Sequence, residues 1–234
     1  MNSINLNPDS LQAVIFDLDG TLVDTLGDFV AVLQGMLASM PTPYCDYVVE
    51  RPAVEKMVGK GSENLIKSVL SLVEPAQTAI KSEAMYELAW ESYQLHYTFI
   101  NGQYSSVFDG VVAGLTQLQS HGLPMACVTN KPTAFALDLL QRKGLFDYFA
   151  LVVGGDAVAH KKPDPLPLLQ ACERLGSSPS RTLMVGDSSN DAQAARAAGC
   201  PVLLVTYGYN HGLPVRGVDA DAYTESLARI PWHA

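Results

Sequence analysis

The sequence has few basic residues and few cysteines. It contains 15 lysines and arginines against 24 aspartates and glutamates, which gives a formal net charge of −9. A protein that binds nucleic acid or an anionic membrane needs a basic face, so we expect neither partner. There is no CxxC pair, and we expect free thiols in a reducing compartment at all four cysteines: Cys45, Cys127, Cys172 and Cys200.

Long hydrophobic runs are also missing. No apolar run approaches the roughly 18 residues that cross a bilayer. The opening stretch MNSINLNPDSLQ lacks the basic start and the apolar centre of a signal peptide. These absences predict a cytoplasmic protein. The length of 234 residues allows one domain or a large and a small one, and an apolar content of 48% is enough for a hydrophobic core.

Short apolar runs that end abruptly in a polar residue or glycine recur along the chain, as is typical of buried strands in a parallel sheet. They are AVIF (13–16), MACV (125–128), ALVV (150–153), TLMV (182–185) and VLLV (202–205). Most of the segments between them have helical patterns that end at or near a glycine. This alternation predicts an α/β fold whose core is a doubly wound, Rossmann-like parallel sheet.

The long segment between the first two of these runs carries no strand pattern. We predict helices over 24–38, with Asp24 as the cap, over 62–73, with Ser62 as the N-cap, and from 76 to about 97.

The insertion predicts two domains. Residues 24–98 form a helical domain, and residues 1–23 and 99–234 form the Rossmann-like core. We expect hinges near Val23 and within 101–106. Within the helical domain, one stripe of aromatic side chains is predicted to pack internally: Trp90, Tyr93 and Tyr97.

Polar side chains follow several predicted strands. Asp17 and Asp19 end the first strand, Thr129 ends the second, and Asp187 ends the fourth. Ligands of parallel α/β sheets bind outside the carboxyl ends of the strands. The sequence therefore predicts a polar site at this edge of the sheet.

The chemistry of these residues suits phosphoryl transfer. In DLDGT, the acids Asp17 and Asp19 can hold a hard cation, and the turn at Gly20 can turn backbone N–H groups toward an anion. One carboxylate can attack phosphorus to form an aspartyl phosphate. A second can protonate the leaving oxygen and then activate water.

Other segments supply groups that neutralise charge. Lys162 precedes a proline in a loop, where its ammonium can reach phosphate oxygens. Asp187 and Asp191 are four residues apart at a strand-to-helix turn, so both can face a metal. Thr129 offers its hydroxyl and Asn130 its backbone N–H at the end of the second strand.

Four motifs resemble, in order, those of the haloacid dehalogenase superfamily of aspartate-nucleophile phosphatases: DLDGT, VTNK, KKPDP and GDSSND. The resemblance implies Asp17 as the nucleophile and Asp19 as the general acid and base. It implies Mg²⁺ bound by Asp17, the Asp19 carbonyl and Asp187, and Thr129 and Lys162 as phosphate ligands. It also implies a helical cap inserted after the first motif.

Among members of the superfamily, the core segments are similar to those of enzymes that hydrolyse 2-phosphoglycolate. Such a substrate leaves a carboxylate pointing away from the metal. In VGKGSENL, a flexible loop precedes a helix whose first N–H groups favour an anion. We hypothesise that Lys60, Gly61 and Ser62 bind that carboxylate.

Several alternatives stay open at this point. The substrate could instead be a sugar phosphate or a sugar-acid phosphate, or the enzyme could be a phosphosugar mutase. The inserted segment and the second acid disfavour a phosphorylatable switch, and the complete motif set disfavours an inactive binding protein. We expect a small phosphate ester as the partner, and a monomer or a homodimer.

Some polar residues near the motifs have no settled role. Lys161 could replace Lys162, although the resemblance favours the lysine directly before the proline. Lys131 could lie near the phosphate or be a solvated cation. We expect His160 and His211 to be loop residues rather than catalysts.

Overall fold

A computed structural model describes residues 10–74 and 79–230. Within these ranges the strands are β1 (Ala13–Phe16), β2 (Val23–Asp24), β3 (Ser106–Val107), β4 (Met125–Val128), β5 (Leu151–Val153), β6 (Thr182–Gly186), β7 (Val202–Val205) and β8 (Ala222–Thr224). The α-helices are α1 (Leu26–Ala38), α2 (Arg51–Glu55), α3 (Ser62–Val73), α4 (Ala79–Ile100), α5 (Val111–Ser120), α6 (Thr133–Arg142), α7 (Leu166–Leu175) and α8 (Ser189–Ala198).

The main sheet has six parallel strands in the order β5-β4-β1-β6-β7-β8. All five predicted strands are present, within one residue of the predicted ends. β1 lies between β4 and β6, with Val14 opposite both Met125 and Leu183. The strand ends that carry three of the four motifs are therefore neighbours.

Helices cover both faces of this sheet, because side chains alternate along each strand. Val14 and Phe16 of β1 belong to the hydrophobic cluster that includes residues of α5 and α6. Ile15 belongs to the opposite cluster, with residues of α7 and α8. The predicted doubly wound α/β fold is confirmed.

The helices α1 to α4, here called the helical insert, have a hydrophobic cluster of their own. In α3, the buried positions Leu65, Ile66, Val69 and Leu70 repeat at helical spacing, so one face packs inward. The stripe of α4 also packs here: Tyr93 and Tyr97 are fully buried, and Trp90 is partly buried against the cluster.

Three details of the predicted insert differ. Ser62 is the first helical residue rather than the N-cap, because Gly61 takes the N-cap position with a φ of 88°. α1 begins at Leu26 rather than at the predicted residue 24, because Asp24 is the last residue of β2. Asp24 nevertheless accepts a hydrogen bond from the Leu26 N–H at 3.2 Å. α4 runs on to Ile100, and its predicted start at 76 lies outside the described residues.

The chain leaves and re-enters the core through a two-stranded antiparallel pair, β2 with β3. Next to it, the buried carboxylate of Asp28 accepts hydrogen bonds from the backbone of Gly102 at 2.8 Å and Tyr104 at 2.6 Å. These contacts fix the two connecting segments to each other. The domain limits at 23/24 and 98/99 stay a prediction.

In the described part of the chain, no helix is both long enough and apolar enough to cross a membrane. The four cysteines are free thiols, as predicted; Cys45 is partly exposed and the other three are buried.

Candidate active site

The first motif forms a tight turn directly after the central strand. The Asp17 N–H donates to the Val185 carbonyl at 2.9 Å, which prolongs the pairing of β1 with β6. Gly20 has a φ of 86°, and a Cβ there would lie 2.5 Å from Oδ2 of Asp187. Glycine is therefore required for the two acidic turns to meet. The Gly20 N–H donates to the Val23 carbonyl, which closes the turn.

Lys162 lies at the centre of the site, and 4% of it is exposed. Its Nζ is 2.9 Å from Asp17 Oδ1 and 2.8 Å from Asp191 Oδ1, and it donates to the Val128 carbonyl at 2.7 Å. Burial lowers the pKa of Lys162, but the two carboxylates outweigh it and raise the pKa overall. Lys161 instead lies 3.4 Å from Glu63, away from these acids.

Three buried carboxylates lie close together at this site. Oxygens of Asp17, Asp187 and Asp191 lie within 4.8 Å of one another. Burial, together with the neighbouring acids, raises the pKa of Asp17 to about 7 and the pKa of Asp187 to about 8. Such a group of hard oxygen donors fits a cation such as Mg²⁺, which would relieve the repulsion among them.

The three acids are not equivalent. Asp191 Oδ2 accepts hydrogen bonds from the N–H and the hydroxyl of Ser188 in a capping box at the start of α8. With Lys162 on its other oxygen, Asp191 is fully engaged. No described residue pairs with Asp17 Oδ2. Asp17 therefore retains a free oxygen.

A loop after β7 holds Asp187 in place. The Tyr209 N–H donates to Asp187 Oδ2 at 2.7 Å, and the Thr21 hydroxyl donates to Oδ1 at 3.2 Å. The Tyr209 hydroxyl donates to Asp24 Oδ1 at 2.7 Å and accepts from the Thr25 N–H at 2.7 Å. The sequence indicated no role for Tyr209, although the glycines of TYGYNHG after a buried strand are typical of a tight loop at this edge.

Lys131, which the sequence left undecided, is buried. It is 4% exposed, and its Nζ is 2.8 Å from Asp19 Oδ1. The same Nζ lies 4.6 Å from the ring centroid of Phe29 and 5.0 Å from that of Tyr97. The two rings hold the ammonium by cation–π attraction and exclude water from it.

A small cavity of about 20 Å³ lies between these core residues and the helical insert. Its core wall consists of Asp17, Asp19, Thr129, Asn130 and Lys131. Its insert wall consists of Phe29, Val58, Gly59, Gly61, Ser62 and Leu65. Of the predicted carboxylate-binding loop, Gly61 and Ser62 face the cavity, whereas Lys60 is exposed and does not line it.

Core side chains bind the backbone of this loop. The Asn130 and Asn190 amide groups donate to the Gly59 carbonyl at 3.0 Å and 3.1 Å. Nδ1 of His211 is 2.9 Å from the Val58 carbonyl oxygen, so this histidine contacts the insert. His160 is exposed. The insert is thus in contact with the core directly above the acids.

Known proteins that are similar to this chain in sequence and in fold identify its family. Residues 11–199 match the family described as haloacid dehalogenase-like hydrolase, and the chain belongs to that family. A phosphoglycolate phosphatase of Thiobacillus denitrificans is 45% identical over 94% of each chain, and one of Escherichia coli K12 is 35% identical over 94% of this chain and 90% of its own. A crystal structure of a predicted phosphoglycolate phosphatase from Haemophilus somnus has a TM-score of 0.86 and 28% identity, over 94% of this chain and 96% of that one.

Proposed function

We propose that this hydrolase is a Mg²⁺-dependent phosphomonoesterase that converts 2-phosphoglycolate to glycolate and phosphate through an aspartyl phosphate on Asp17. The observation that carries the proposal is the buried Asp17 carboxylate, which is paired on one oxygen with Lys162 and has no partner on the other. The names of the relatives support the substrate.

In the first step, the free oxygen of Asp17 attacks phosphorus and the ester P–O bond breaks. Asp19 gives its proton to the leaving oxygen, which becomes the hydroxyl of glycolate. Lys162 and Thr129 are the proposed ligands of the phosphoryl oxygens. An ammonium that is already in position stabilises the charge that develops in the transition state without reorganisation.

In the second step, Asp19 removes a proton from water, and the water oxygen attacks phosphorus. The bond from phosphorus to Asp17 breaks, and phosphate leaves with both active-site carboxyl groups restored. Asp17, Asp187 and the Asp19 carbonyl would hold the Mg²⁺, which supplies further neutralisation of phosphate charge. Asp191 contributes by orienting Lys162 and the start of α8.

The helical insert is proposed as a cap that covers the substrate. Its loop contacts the core through the backbone carbonyls of Val58 and Gly59. A closed cap excludes bulk water while the phosphate is bound. The cytoplasmic location predicted from the sequence, and a monomeric or dimeric state, remain part of this proposal.

The proposal is tested by phosphate release from a panel of esters: 2-phosphoglycolate, hexose phosphates, a sugar-acid phosphate and p-nitrophenyl phosphate, each with Mg²⁺ and with EDTA. We expect 2-phosphoglycolate to have the highest kcat/KM, by about 100-fold because of the free energy of binding its carboxylate, and EDTA to abolish turnover. The Asp17→Asn variant is the control for background hydrolysis.

Metal-dependent turnover that is fastest with a hexose phosphate or a sugar-acid phosphate would contradict the substrate and leave the chemistry intact. An isomerised sugar phosphate with little free phosphate would indicate a mutase. Turnover that persists in EDTA would contradict the metal requirement.

A further inference from the structure

Lys131 has hydrogen-bonding capacity that the proposed mechanism does not use. An ammonium has three N–H donors. Among the described residues, the hydrogen bond of this Nζ goes to Asp19, and two aromatic rings cover its other side. Lys131 also lines the cavity. A ligand with a negative charge in the cavity would therefore find a desolvated ammonium with donors to spare.

The short distance between Lys131 and Asp19 agrees with the short distance between the ester oxygen and the carboxylate of 2-phosphoglycolate. Asp19 is the group that protonates the ester oxygen, so that oxygen lies against the Asp19 carboxylate when the bond breaks. In 2-phosphoglycolate a single methylene separates the ester oxygen from the carboxylate carbon. Lys131 Nζ is 2.8 Å from Asp19 Oδ1. It is therefore close enough to donate a hydrogen bond to the substrate carboxylate while the ester oxygen contacts Asp19.

The helical insert offers two further hydroxyl donors. Ser62 lines the cavity as the first residue of α3, a helix of 12 residues whose first N–H groups have no partner within the helix. The hydroxyl of Tyr93 is buried without a hydrogen-bond partner. The Tyr93 ring stacks on the ring of Tyr97, with centroids 5.3 Å apart, and the Tyr97 centroid lies 5.0 Å from Lys131 Nζ. Tyr93 therefore belongs to the aromatic cluster that covers Lys131.

We propose that Lys131 binds the carboxylate of the substrate, with the hydroxyls of Ser62 and Tyr93 completing the subsite. This inference rests on the proposed hydrolysis of 2-phosphoglycolate. It gives Lys131 the role that the sequence suggested for Lys60, which is exposed and lies outside the cavity lining. An unpaired buried hydroxyl costs free energy, and a carboxylate oxygen of the ligand would satisfy it.

The first experiment compares 2-phosphoglycolate with ethyl phosphate, which has the same length but a methyl group in place of the carboxylate. Lys131→Met removes the counter-charge of Asp19, so we expect kcat/KM to fall on both esters. The fall should be about 100-fold larger on 2-phosphoglycolate than on ethyl phosphate, with the difference mainly in KM. In the control variant Lys60→Met, kcat/KM on each of the two esters should change by less than about 3-fold.

Equal losses on the two esters in Lys131→Met would overturn the proposal, because they would mean that Lys131 only positions Asp19. A selective loss in Lys60→Met would overturn it in favour of the loop lysine. A wild-type enzyme that does not prefer 2-phosphoglycolate contradicts the proposed function instead. Wild-type preference that survives in Lys131→Met contradicts this inference alone.

The second experiment uses binding without turnover and a variant that we expect to fold. Calorimetry would compare 3-phosphonopropionate, an analogue that cannot be hydrolysed, with propylphosphonate in the Mg²⁺-loaded protein. We expect the wild type to prefer the former by at least about 30-fold, and Tyr93→Phe to reduce that preference about 5-fold. An unchanged preference in both Tyr93→Phe and Lys131→Met would reject the subsite.

Discussion

The two buried lysines of the site contact different acids. Lys162 pairs with Asp17 and Asp191, whereas Lys131 pairs with Asp19. The proposed nucleophile and the proposed proton donor therefore have separate counter-charges. Substitution of one acid should leave the electrostatics of the other largely intact, and the two roles can be tested one at a time.

Asp19→Asn is expected to reduce turnover while Mg²⁺ and phosphate binding stay close to wild type. Asparagine can still accept the Lys131 hydrogen bond, but it cannot give a proton to the leaving oxygen. Loss of a general acid lowers the rate by about 100-fold to 10,000-fold. Single-turnover rates, with calorimetric titration of Mg²⁺, would measure both effects, and an unchanged rate would remove Asp19 from the mechanism.

The pKa values of the metal-free site predict how Mg²⁺ stabilises the protein. Burial raises the pKa of Asp17 to about 7 and that of Asp187 to about 8. The native state then binds more protons than the unfolded state between about pH 4 and pH 8, so stability in EDTA falls as the pH rises through that range. Mg²⁺ replaces those protons. The Mg²⁺-induced rise in Tm should be larger at pH 8.5 than at pH 6.

Thermal melts with and without Mg²⁺ at the two pH values test this, with Asp187→Asn as the control. That variant should lose most of the pH dependence of the Mg²⁺ effect. A Mg²⁺-induced shift that is the same at both pH values in the wild type would contradict the proposed linkage.

The position of a site residue could be predicted from the sequence where it depends on the local pattern. Asp17, Asp187 and Lys162 follow strand ends or precede a proline, and the structure brings them together. Lys131 could not be assigned, because its burial depends on Phe29 and Tyr97, which lie far away in the sequence and pack above it. Solvation of a lysine is set by tertiary contacts that a local pattern does not contain.

At the level of elements, the loop after β7 connects Asp187 with the start of α1. Tyr209 binds Asp187 through its backbone and binds Asp24 and Thr25, at the start of α1, through its hydroxyl. One residue thus links Asp187 to the segment that leads into the helical insert.

Tyr209→Phe should loosen the contact with Asp24 and Thr25 at the predicted hinge without displacing Asp187, because the backbone contact with Asp187 does not need the hydroxyl. We expect kcat/KM to fall about 3-fold to 10-fold, with kcat and KM both changed, and Mg²⁺ affinity to be retained. Steady-state kinetics with Mg²⁺ titration would measure this. Tyr148→Phe, which removes an exposed hydroxyl far from the site, is the matched control. A loss of Mg²⁺ affinity in Tyr209→Phe would contradict the division of roles.

The elements that the sequence did not predict are short or lie at edges. β8 is a three-residue edge strand with partly exposed side chains, and β2 and β3 have two residues each. Two residues are too few for periodicity to appear in β2 and β3, and β8 lacks a continuous apolar run because two of its three side chains are only partly buried. The five longer apolar runs were predictable because burial on both faces requires a continuous hydrophobic sequence.

For the molecule as a whole, a net charge of −9 coexists with a site that must accept a phosphate ester. The structure resolves this by burying two lysines at the meeting point of the insert and the core. A small anion is attracted only at short range, inside the cavity, since longer-range fields are screened by salt. The insertion of helices after β1 was predictable from the missing strand pattern, whereas the contacts across the cavity were not.

The contacts of the loop above the cavity have a consequence for evolution and for engineering. The core recognises this loop through the carbonyl oxygens of Val58 and Gly59, which every amino acid possesses. The donors, Asn130, Asn190 and His211, all belong to the core. A loop of different sequence can therefore dock on an unaltered core if its backbone reaches the same donors. Substrate range can then diversify by exchange of loop side chains while the hydrolytic apparatus is inherited unchanged.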